Sequence, residues 1–204
     1  MKKPRKIREE IVVQDEDASL VTYYPNWLPF KKSRELFNSL KSLPLKQETI
    51  VIPGRGVVKQ PRLTGWYGDP NRSYTYSGLT LEPQPWTTEL LHLKDELVNF
   101  VKVGFNSVLV NYYRDGHDSI GKHSDDERDL GPSKDDIVIA SVSFNGPRAF
   151  ILQNKKTGVS HRIELQCGSL LLMRGRTQQH WTHEIAKTKA YVPERLNLTY
   201  RVVL

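Results

Sequence analysis

The residues of this chain that could bind a metal ion lie around one His-x-Asp pair. The segment GKHSDDERDL at 121–130 places His123 two residues before Asp125. In an extended segment such side chains point the same way, so an imidazole nitrogen and a carboxylate oxygen face one point in space. A third ligand from a distant strand would complete the 2-His-1-carboxylate arrangement that is typical of non-heme Fe(II) oxygenases. The candidates for it are His180 and His183, in the segment QHWTHEIA.

The C-terminal segment carries two arginines at even spacing. From residue 195 every second side chain is polar, and the residues between are apolar; the polar set is Arg195, Asn197, Thr199 and Arg201. A strand with this period has one polar and one apolar face. The polar face either lies in water at a sheet edge or lines a cavity for a carboxylate or phosphate ligand, which a planar and permanently charged guanidinium binds well.

A second polar pair, Asn111 and Tyr113, ends the predicted strand NSVLVNYY. The two side chains share a face and either hydrogen-bond an anionic ligand or simply end a strand at a barrel rim. An octahedral iron with three protein ligands has three open positions, which suffice for a chelating 2-oxoacid and O2. The dicarboxylate 2-oxoglutarate also needs cations, and the paired arginines supply them. One site thereby explains all of these residues, whereas a zinc hydrolase with the same triad would leave the arginines unexplained.

The composition narrows the class of protein. With 204 residues, of which 38% are hydrophobic and 26% charged, the chain fits one globular domain with a real core. It has no apolar run of the roughly 18–20 residues that a membrane-spanning helix needs, and we expect no membrane association. The start, MKKPRKIREE, lacks the apolar stretch of a secretion signal. The single cysteine, Cys167, excludes an internal disulfide framework and a cysteine-rich zinc site, which favours a reducing intracellular compartment.

The charge balance is basic. A formal net charge of +7 is consistent with a polyanionic partner such as nucleic acid, because lysines and arginines neutralise phosphates and release counterions.

The elements that must position these residues are two helices and many short strands. Apolar residues at helical spacing predict helices over about 32–43, ending before Pro44, and over about 88–101, capped by Thr87 or Thr88. Residues 1–18 are charged and are expected to form a disordered tail. Strands are predicted at 49–52, 57–60, 73–76, 106–113, 137–144, 148–153, 159–165, 168–174, 180–184 and 195–203. This order predicts a mixed α/β (α+β) fold, a β-sandwich or jelly roll with N-terminal helices packed outside.

The residues above resemble the AlkB family of Fe(II)/2-oxoglutarate dioxygenases. Longer strings extend the resemblance over about 45–204, namely QPRLTGWYGD (60–69), YTYSGLTLEP (74–83), HSDDERDLG (123–131), IASVSF (139–144) and ERLNLTYR (194–201). They are similar to the branch of the mammalian AlkB homologues two and three, which repair alkylated DNA. The resemblance implies a double-stranded β-helix (jelly roll) in a single domain over 19–204, with a nucleotide-recognition region at 45–105 and the core at 106–204.

The resemblance also implies roles for individual residues. Fe(II) would be bound by His123, Asp125 and His183, which occupies the family's position and is preferred over His180. The cosubstrate 2-oxoglutarate would be held by Asn111, Tyr113, Arg195, Thr199 and Arg201. The implied activity uses Fe(II), 2-oxoglutarate and O2 to remove methyl groups from N1-methyladenine and N3-methylcytosine in DNA, with release of formaldehyde, succinate and CO2. Alternatives are the same chemistry on RNA and a catalytically silent nucleic-acid-binding relative.

The implied substrate is single- or double-stranded methylated DNA, whose damaged base must leave the stack to reach the metal. The implied substrate-binding residues are Pro53, Gly54, Arg55, Arg62, Tyr74, Thr75, Tyr76, Asp126 and Glu127. Homologue two carries an aromatic side chain on a hydrophobic finger, whereas this chain has VIPGRG at 51–56. That segment is either a plain tight turn or a finger without an aromatic. We expect a monomer that is intracellular, in the nucleus of a eukaryote or the cytoplasm of a bacterium.

Overall fold

The computed structural model describes residues 6–52, 54, 56–76, 79–127, 129–131, 133 and 135–204. The elements of this described part are β1 (Glu10–Gln14), β2 (Ser19–Tyr24), α1 (Phe30–Leu40), β3 (Thr49–Ile52), β4 (Gly56–Lys59), β5 (Leu63–Gly68), β6 (Tyr74–Tyr76), β7 (Leu79–Leu81), α2 (Thr88–Val101), β8 (Ser107–Tyr113), β9 (Ile120–His123), β10 (Ile139–Asn145), β11 (Arg148–Asn154), β12 (Ser160–Leu165), β13 (Leu170–Gly175), α3 (Thr177–His180), β14 (Trp181–Ile185) and β15 (Arg195–Arg201).

Two antiparallel sheets face each other across an apolar layer. The major sheet has the order β1-β2-β13-β10-β15-β8-β5, and the minor sheet has the order β12-β11-β14-β9. Buried residues from both sheets meet between them, for example Leu109 of the major sheet and Leu152 of the minor sheet. The predicted jelly-roll core is therefore confirmed, because strands that alternate apolar and polar residues bury one face of each sheet.

The two long helices cover the outer face of the major sheet. In α2 the residues Leu90, Leu93, Leu97 and Val101 are buried, and the Thr87 hydroxyl caps the helix by accepting from the backbone N–H of Leu90 at 3.4 Å. This helix was predicted with the same bounds. The first helix was predicted at 32–43 but ends at Leu40, because the next amides make tighter turns ahead of Pro44, whose ring disfavours a helical residue before it.

The expected disordered tail over 1–18 is wrong for residues 10–14. These residues form β1, which pairs with β2, and β2 in turn pairs with β13 of the major sheet. Val13 and Val21 are buried in the layer between the sheets. Two strands therefore precede the first helix, since a short segment that contains Ile11, Val12 and Val13 can extend a sheet whose neighbouring strand supplies the hydrogen bonds.

Two hairpins stand apart from the main sheets. Strand β3 pairs with β4, and β6 pairs with β7. Gly54 and Gly56 have φ values of +77° and +75°, which glycine adopts without strain at a tight turn between β3 and β4. The predicted boundary between the nucleotide-recognition region and the core, at residue 105, does not separate two sheets. Strand β5 of the recognition region pairs along its whole length with β8 of the core. Within the described residues, no helix is long and apolar enough to span a membrane.

Candidate active site

The three predicted metal ligands converge on one point. His123 ends β9 and His183 lies in the middle of β14, where the two residues are register partners. Asp125 follows two residues after His123, and the ligand atoms of all three residues lie within 4.8 Å of one another. The Nε2 atoms of His123 and His183 are 3.6 and 3.8 Å from the two Asp125 carboxylate oxygens. His180 instead places its Nδ1 atom 3.4 Å from Asp17, so of the two candidates it is His183 that joins the site.

Both histidines of this site favour the neutral form that a metal requires. The Nδ1 atom of His123 lies 2.8 Å from the carbonyl oxygen of Gly121. With the proton on Nδ1, the lone pair of Nε2 faces Asp125. Burial, and then the proximity of the His123 imidazole, lowers the pKa of His183 to about 3. Both imidazoles are therefore neutral at neutral pH, and each has a nitrogen lone pair available for a metal without first releasing a proton.

Asp125 is buried and is held in place at two points. Arg201 donates from Nη2 to the Oδ1 atom at 2.9 Å, and the side chains of both residues are only 4% exposed. The backbone N–H of Asp125 donates to the Gln178 side-chain oxygen at 2.9 Å. Burial alone would raise the pKa of this carboxyl, but Arg201 and then His183 hold the pKa below its ordinary value. Asp125 is therefore a carboxylate, as a metal ligand must be.

Arg195 presents positive charge to the same cavity. It is 1% exposed, and its Nη2 atom donates to the Ser143 hydroxyl at 2.9 Å. Within the described residues its Nε and Nη1 atoms have no hydrogen-bond partner. The Tyr113 ring packs on the guanidinium, with its centroid 5.2 Å from the central carbon. Buried donors without partners cost roughly 1–3 kcal/mol each, so this arginine is poised for an anionic ligand.

The predicted cosubstrate residues line one cavity with the triad. Its wall includes Asn111, Tyr113, Arg195, Thr199 and Arg201. Neighbouring strands set these positions, because β15 lies between β10 and β8 and points its polar side chains inward. The other possibility for this polar face, exposure to water at a sheet edge, is wrong.

Several residues of the site were not among the predicted site residues. Asn197 donates to the Ser141 hydroxyl at 2.8 Å, and Thr199 donates to the Asn197 side-chain oxygen at 3.1 Å. Ser141 and Ser143 are two residues apart in β10, so strand periodicity could have revealed them. Gln178 lies in α3, which is too short to give any periodic signal.

The predicted substrate residues have different surroundings. Arg62 is 6% exposed, and its Nε atom donates to the side-chain oxygen of Asn111, a residue of the cavity wall, at 2.8 Å, so it is buried behind the site rather than on the surface. Asp126 is exposed, with Lys155 at 4.0 Å, and Glu127 is half-buried.

Those remaining substrate candidates that the structure describes lie on the two hairpins. Thr75 and Thr80 share a hydrogen bond of 2.9 Å between their hydroxyls on an exposed surface. Gly54 is an exposed turn residue. Pro53 and Arg55 lie outside the described residues, and Tyr74 and Tyr76 are described only as backbone of β6.

Comparison with known proteins agrees with this geometry. Residues 20–201 match the family described as the 2OG-Fe(II) oxygenase superfamily. DNA oxidative demethylase ALKBH2 of Mus musculus is 43% identical over 152 residues, which cover 71% of this chain and 62% of that protein. Alpha-ketoglutarate-dependent dioxygenase alkB homolog 3 of Mus musculus is 37% identical over 210 residues, which cover 95% of this chain and 70% of that protein. The chain belongs to the AlkB family of the 2OG-Fe(II) oxygenases.

Solved structures show the same fold. OsALKBH1 superposes on this AlkB family member with a TM-score of 0.61 at 16% identity, over 89% of this chain and 97% of the other. A Pseudomonas putida prolyl-4-hydroxylase superposes with a TM-score of 0.56 at 17% identity, over 89% and 92% of the two chains.

The residues present fit the cofactors of this superfamily, Fe(II), 2-oxoglutarate and O2. Two neutral imidazoles and one carboxylate are a donor set suited to Fe(II), and they leave positions for further ligands. The unpaired donors of Arg195 provide for a carboxylate in the same cavity.

Proposed function

We propose that this protein removes methyl groups from N1-methyladenine and N3-methylcytosine in DNA, and releases formaldehyde, succinate and CO2. The observation that carries the dioxygenase chemistry is that Arg195, with two buried donors that have no partner among the described residues, shares a cavity with the triad. The substrate is supported by relatives that are named DNA oxidative demethylase. The chain spans 62% and 57% of the length of the first two of these relatives, from Mus musculus and Homo sapiens.

The triad would hold the iron, which with 2-oxoglutarate and O2 supplies the oxidising chemistry when bound. His123 and His183 would each provide a neutral nitrogen. Asp125 would provide a carboxylate oxygen whose orientation depends on Arg201 and on Gln178. Because Arg201 already donates to Asp125, its contribution to 2-oxoglutarate would come mainly from its positive charge near the metal end of the cavity.

The other polar residues of the cavity would hold 2-oxoglutarate. Arg195 would bind the distal carboxylate with its unpaired donors, and the Ser143 hydroxyl keeps the guanidinium in place. Asn111 and Tyr113, on the cavity side of β8, would hydrogen-bond the cosubstrate. Thr199 would do so from the neighbouring strand β15. Apolar walls that include Phe150, Ile120 and Ile185 would exclude water from the reacting groups.

The methylated base would enter from the side of Asp126 and Glu127. N1-methyladenine and N3-methylcytosine carry a positive charge that the normal bases lack, so nearby carboxylates would favour the damaged base. Arg62, the turn at Gly54 and the hairpin that carries Tyr74, Thr75 and Tyr76 would contact the flipped nucleotide and its neighbours. If the Asp126→Asn and Glu127→Gln variants discriminate between the methylated and the normal base as well as the wild type does, this selectivity is refuted.

The proposal is tested by following methyl loss by mass spectrometry. Matched single- and double-stranded oligonucleotides of methylated DNA, and the equivalent RNA, are incubated with Fe(II) and 2-oxoglutarate. We expect the wild type to demethylate DNA, and His123→Ala or Asp125→Ala to lose all measurable turnover because a ligand is missing. His180→Ala is the matched control, since His180 lies beside the triad strand but contacts Asp17.

Three results would contradict parts of the proposal. Full activity in the Asp125→Ala variant would refute the metal assignment. Preferential turnover of RNA would keep the chemistry and change the substrate. Binding of oligonucleotides without any formation of succinate would indicate the catalytically silent relative instead.

We further propose a monomer that works inside the cell, in the nucleus of a eukaryote or the cytoplasm of a bacterium. The support is the single cysteine, Cys167, and the nucleic-acid substrate inferred above. Light scattering of the purified protein and imaging of the tagged chain would test these two points.

A further inference from the structure

Arg148 is a buried arginine outside the predicted site, and it binds three main-chain oxygens. It begins β11 and is 4% exposed. Its Nη1 atom donates to the carbonyl of Asp115 at 3.1 Å, and its Nη2 atom donates to the carbonyls of Asp118 at 3.0 Å and Ala186 at 2.6 Å. Its guanidinium carbon lies 5.8 Å from the centroid of the Tyr113 ring.

The three carbonyls belong to two loops that lead to the two histidine ligands. Asp115 and Asp118 lie between β8 and β9, and β9 ends at His123. Ala186 directly follows β14, which contains His183. One side chain therefore joins the start of the first ligand strand to the end of the second.

The pairing of these two strands is too sparse to fix their spacing alone. Strand β9 is the edge strand of the minor sheet, and only two register pairs join it to β14, with an irregularity between them. The end of β9 that bears His123 has a separate tie, because the Ser124 hydroxyl donates to the carbonyl of Trp181 at 2.8 Å. The other end of β9 has the Arg148 contacts.

The loop between β8 and β9, to which Arg148 donates, is held by its own hydrogen bonds. Arg114 binds the Asp118 carboxylate through Nε and Nη2 at 2.8 and 2.9 Å, and the Arg114 backbone N–H donates to the same carboxylate at 2.9 Å. A displacement of this loop would therefore move β9 as a unit rather than be absorbed locally.

We infer that Arg148 is a positioning residue for the iron site: it sets the spacing of His123 and His183 by joining the loops at the shared end of their strands, and it packs against Tyr113. A guanidinium suits this task because its donors have a fixed planar arrangement, whereas the ammonium of lysine is a compact point charge on a flexible stem. The inference rests on the proposed iron site and is independent of the nucleic-acid substrate.

The two loops have a second connection that should preserve the fold without Arg148. The Thr188 backbone N–H donates to the carbonyl of Gly116 at 2.8 Å. A Cβ atom at Gly116 would lie only 2.5 Å from the Thr188 carbonyl oxygen, which shows how closely the loops pack. Replacement of Arg148 is therefore expected to shift β9 relative to β14 rather than to unfold the protein.

The test compares Arg148→Lys with Arg162→Lys. Arg162 is an exposed arginine on the neighbouring strand that lines the same surface cavity as Arg148. Anaerobic titration with Fe(II) alone measures metal affinity, and the visible spectrum of the Co(II)-loaded protein reports the arrangement of its ligands. We expect Arg148→Lys to bind Fe(II) about 10- to 100-fold more weakly, the range found when residues that orient metal ligands are replaced, and to show an altered Co(II) spectrum. Arg162→Lys should match the wild type in both.

The outcomes separate this inference from the proposed function. Wild-type Fe(II) affinity and Co(II) spectrum in a folded Arg148→Lys protein would overturn the inference alone, even if its thermal stability fell. A wild-type protein without affinity for Fe(II) would contradict the proposed function and the inference together.

If Arg148→Lys does not fold, Arg148→Ala is titrated in the presence of low concentrations of guanidinium ion, which can enter the cavity beside residue 148. Recovery of Fe(II) affinity with guanidinium, but not with ammonium, would support the positioning role. Failure of both variants to fold would overturn the inference, because Arg148 would then be required for global stability.

Discussion

At the scale of single residues, the two arginines of β15 have different partners. Arg201 contacts the metal-ligand carboxylate of Asp125, whereas Arg195 donates from Nη2 to the Ser143 hydroxyl, packs against the Tyr113 ring and, within the described residues, has no hydrogen-bond partner for Nε and Nη1. Sequence periodicity places both on one face of a strand and assigns both to one ligand. The structure separates them, because the strand is long enough for its two ends to face opposite ends of the cavity.

This difference predicts that Arg195→Met weakens the binding of 2-oxoglutarate and leaves the binding of iron unchanged. Loss of charged hydrogen bonds worth about 1.5–3 kcal/mol should raise the dissociation constant of 2-oxoglutarate roughly 10- to 100-fold. Calorimetric titration measures the affinity for 2-oxoglutarate. Titration with Fe(II) in the absence of 2-oxoglutarate should give the wild-type affinity for iron. A large loss of Fe(II) affinity would show instead that Arg195 supports the metal ligands.

At the scale of elements, the start of β15 is fixed to β8 and α1 by one carboxylate. Glu194 accepts a hydrogen bond from the Tyr112 hydroxyl and binds Lys41 of the segment after α1 at 3.0 Å. This contact joins three elements that are distant in sequence. It lies directly before Arg195, so it helps to set where the strand enters the site.

The pH dependence of this contact follows from the tyrosine. Burial and then the Glu194 carboxylate raise the pKa of Tyr112 from 10.0 to about 12. Because the folded state favours the protonated hydroxyl, the contact stabilises fully below the ordinary pKa and is lost as the pH rises towards the folded value. Tyr112→Phe should lower the free energy of unfolding by about 1 kcal/mol at neutral pH, since the site is partly exposed.

Urea unfolding of the wild type and of Tyr112→Phe measures the difference in the free energy of unfolding. It is measured first at neutral pH and then at a pH between the ordinary and the raised pKa of Tyr112. The gap between wild type and variant should narrow at the higher pH. A gap that stays constant would mean that the hydrogen bond between the Tyr112 hydroxyl and Glu194 is not its source.

At the scale of the whole molecule, the site joins parts of the chain that are far apart. Asp125 receives contacts from Gln178 and Arg201, and His123 pairs with His183 on the neighbouring strand. A metal bound by these residues connects both histidine strands of the minor sheet with the loop after β9. Its binding energy is therefore added to the stability of the folded state.

Metal removal is predicted to lower the thermal unfolding temperature. With Mn(II), a stable substitute for Fe(II), at about 100 times its dissociation constant, the added stability is about 2.7 kcal/mol. For a chain of this length that corresponds to a rise of roughly 5–10 °C. Differential scanning calorimetry with Mn(II) and after chelation measures it. Asp125→Ala should show no rise and His180→Ala the full rise, whereas a full rise in Asp125→Ala would place the metal elsewhere.

Local patterns in the sequence predicted those features that depend on near neighbours. The spacing of Leu90, Leu93 and Leu97 defines α2, because one apolar stripe and one cap suffice for a helix. The period of two placed Arg195 and Arg201 on one face, and the His-x-Asp spacing placed His123 with Asp125. These relations hold whatever the surrounding fold, since they follow from the geometry of a helix or strand.

Tertiary structure alone decided the relations between distant segments. The choice of His183 over His180 could not follow from spacing, and in the sequence only the family resemblance favoured His183; the pairing of His183 with His123 is a property of the fold. The same holds for β1, which is a strand only because β2 offers an edge, and for Arg148, whose three acceptors come from two separate loops. Such contacts have no local periodicity, because the energy that stabilises them comes from burial and hydrogen bonds that exist only once the chain has folded.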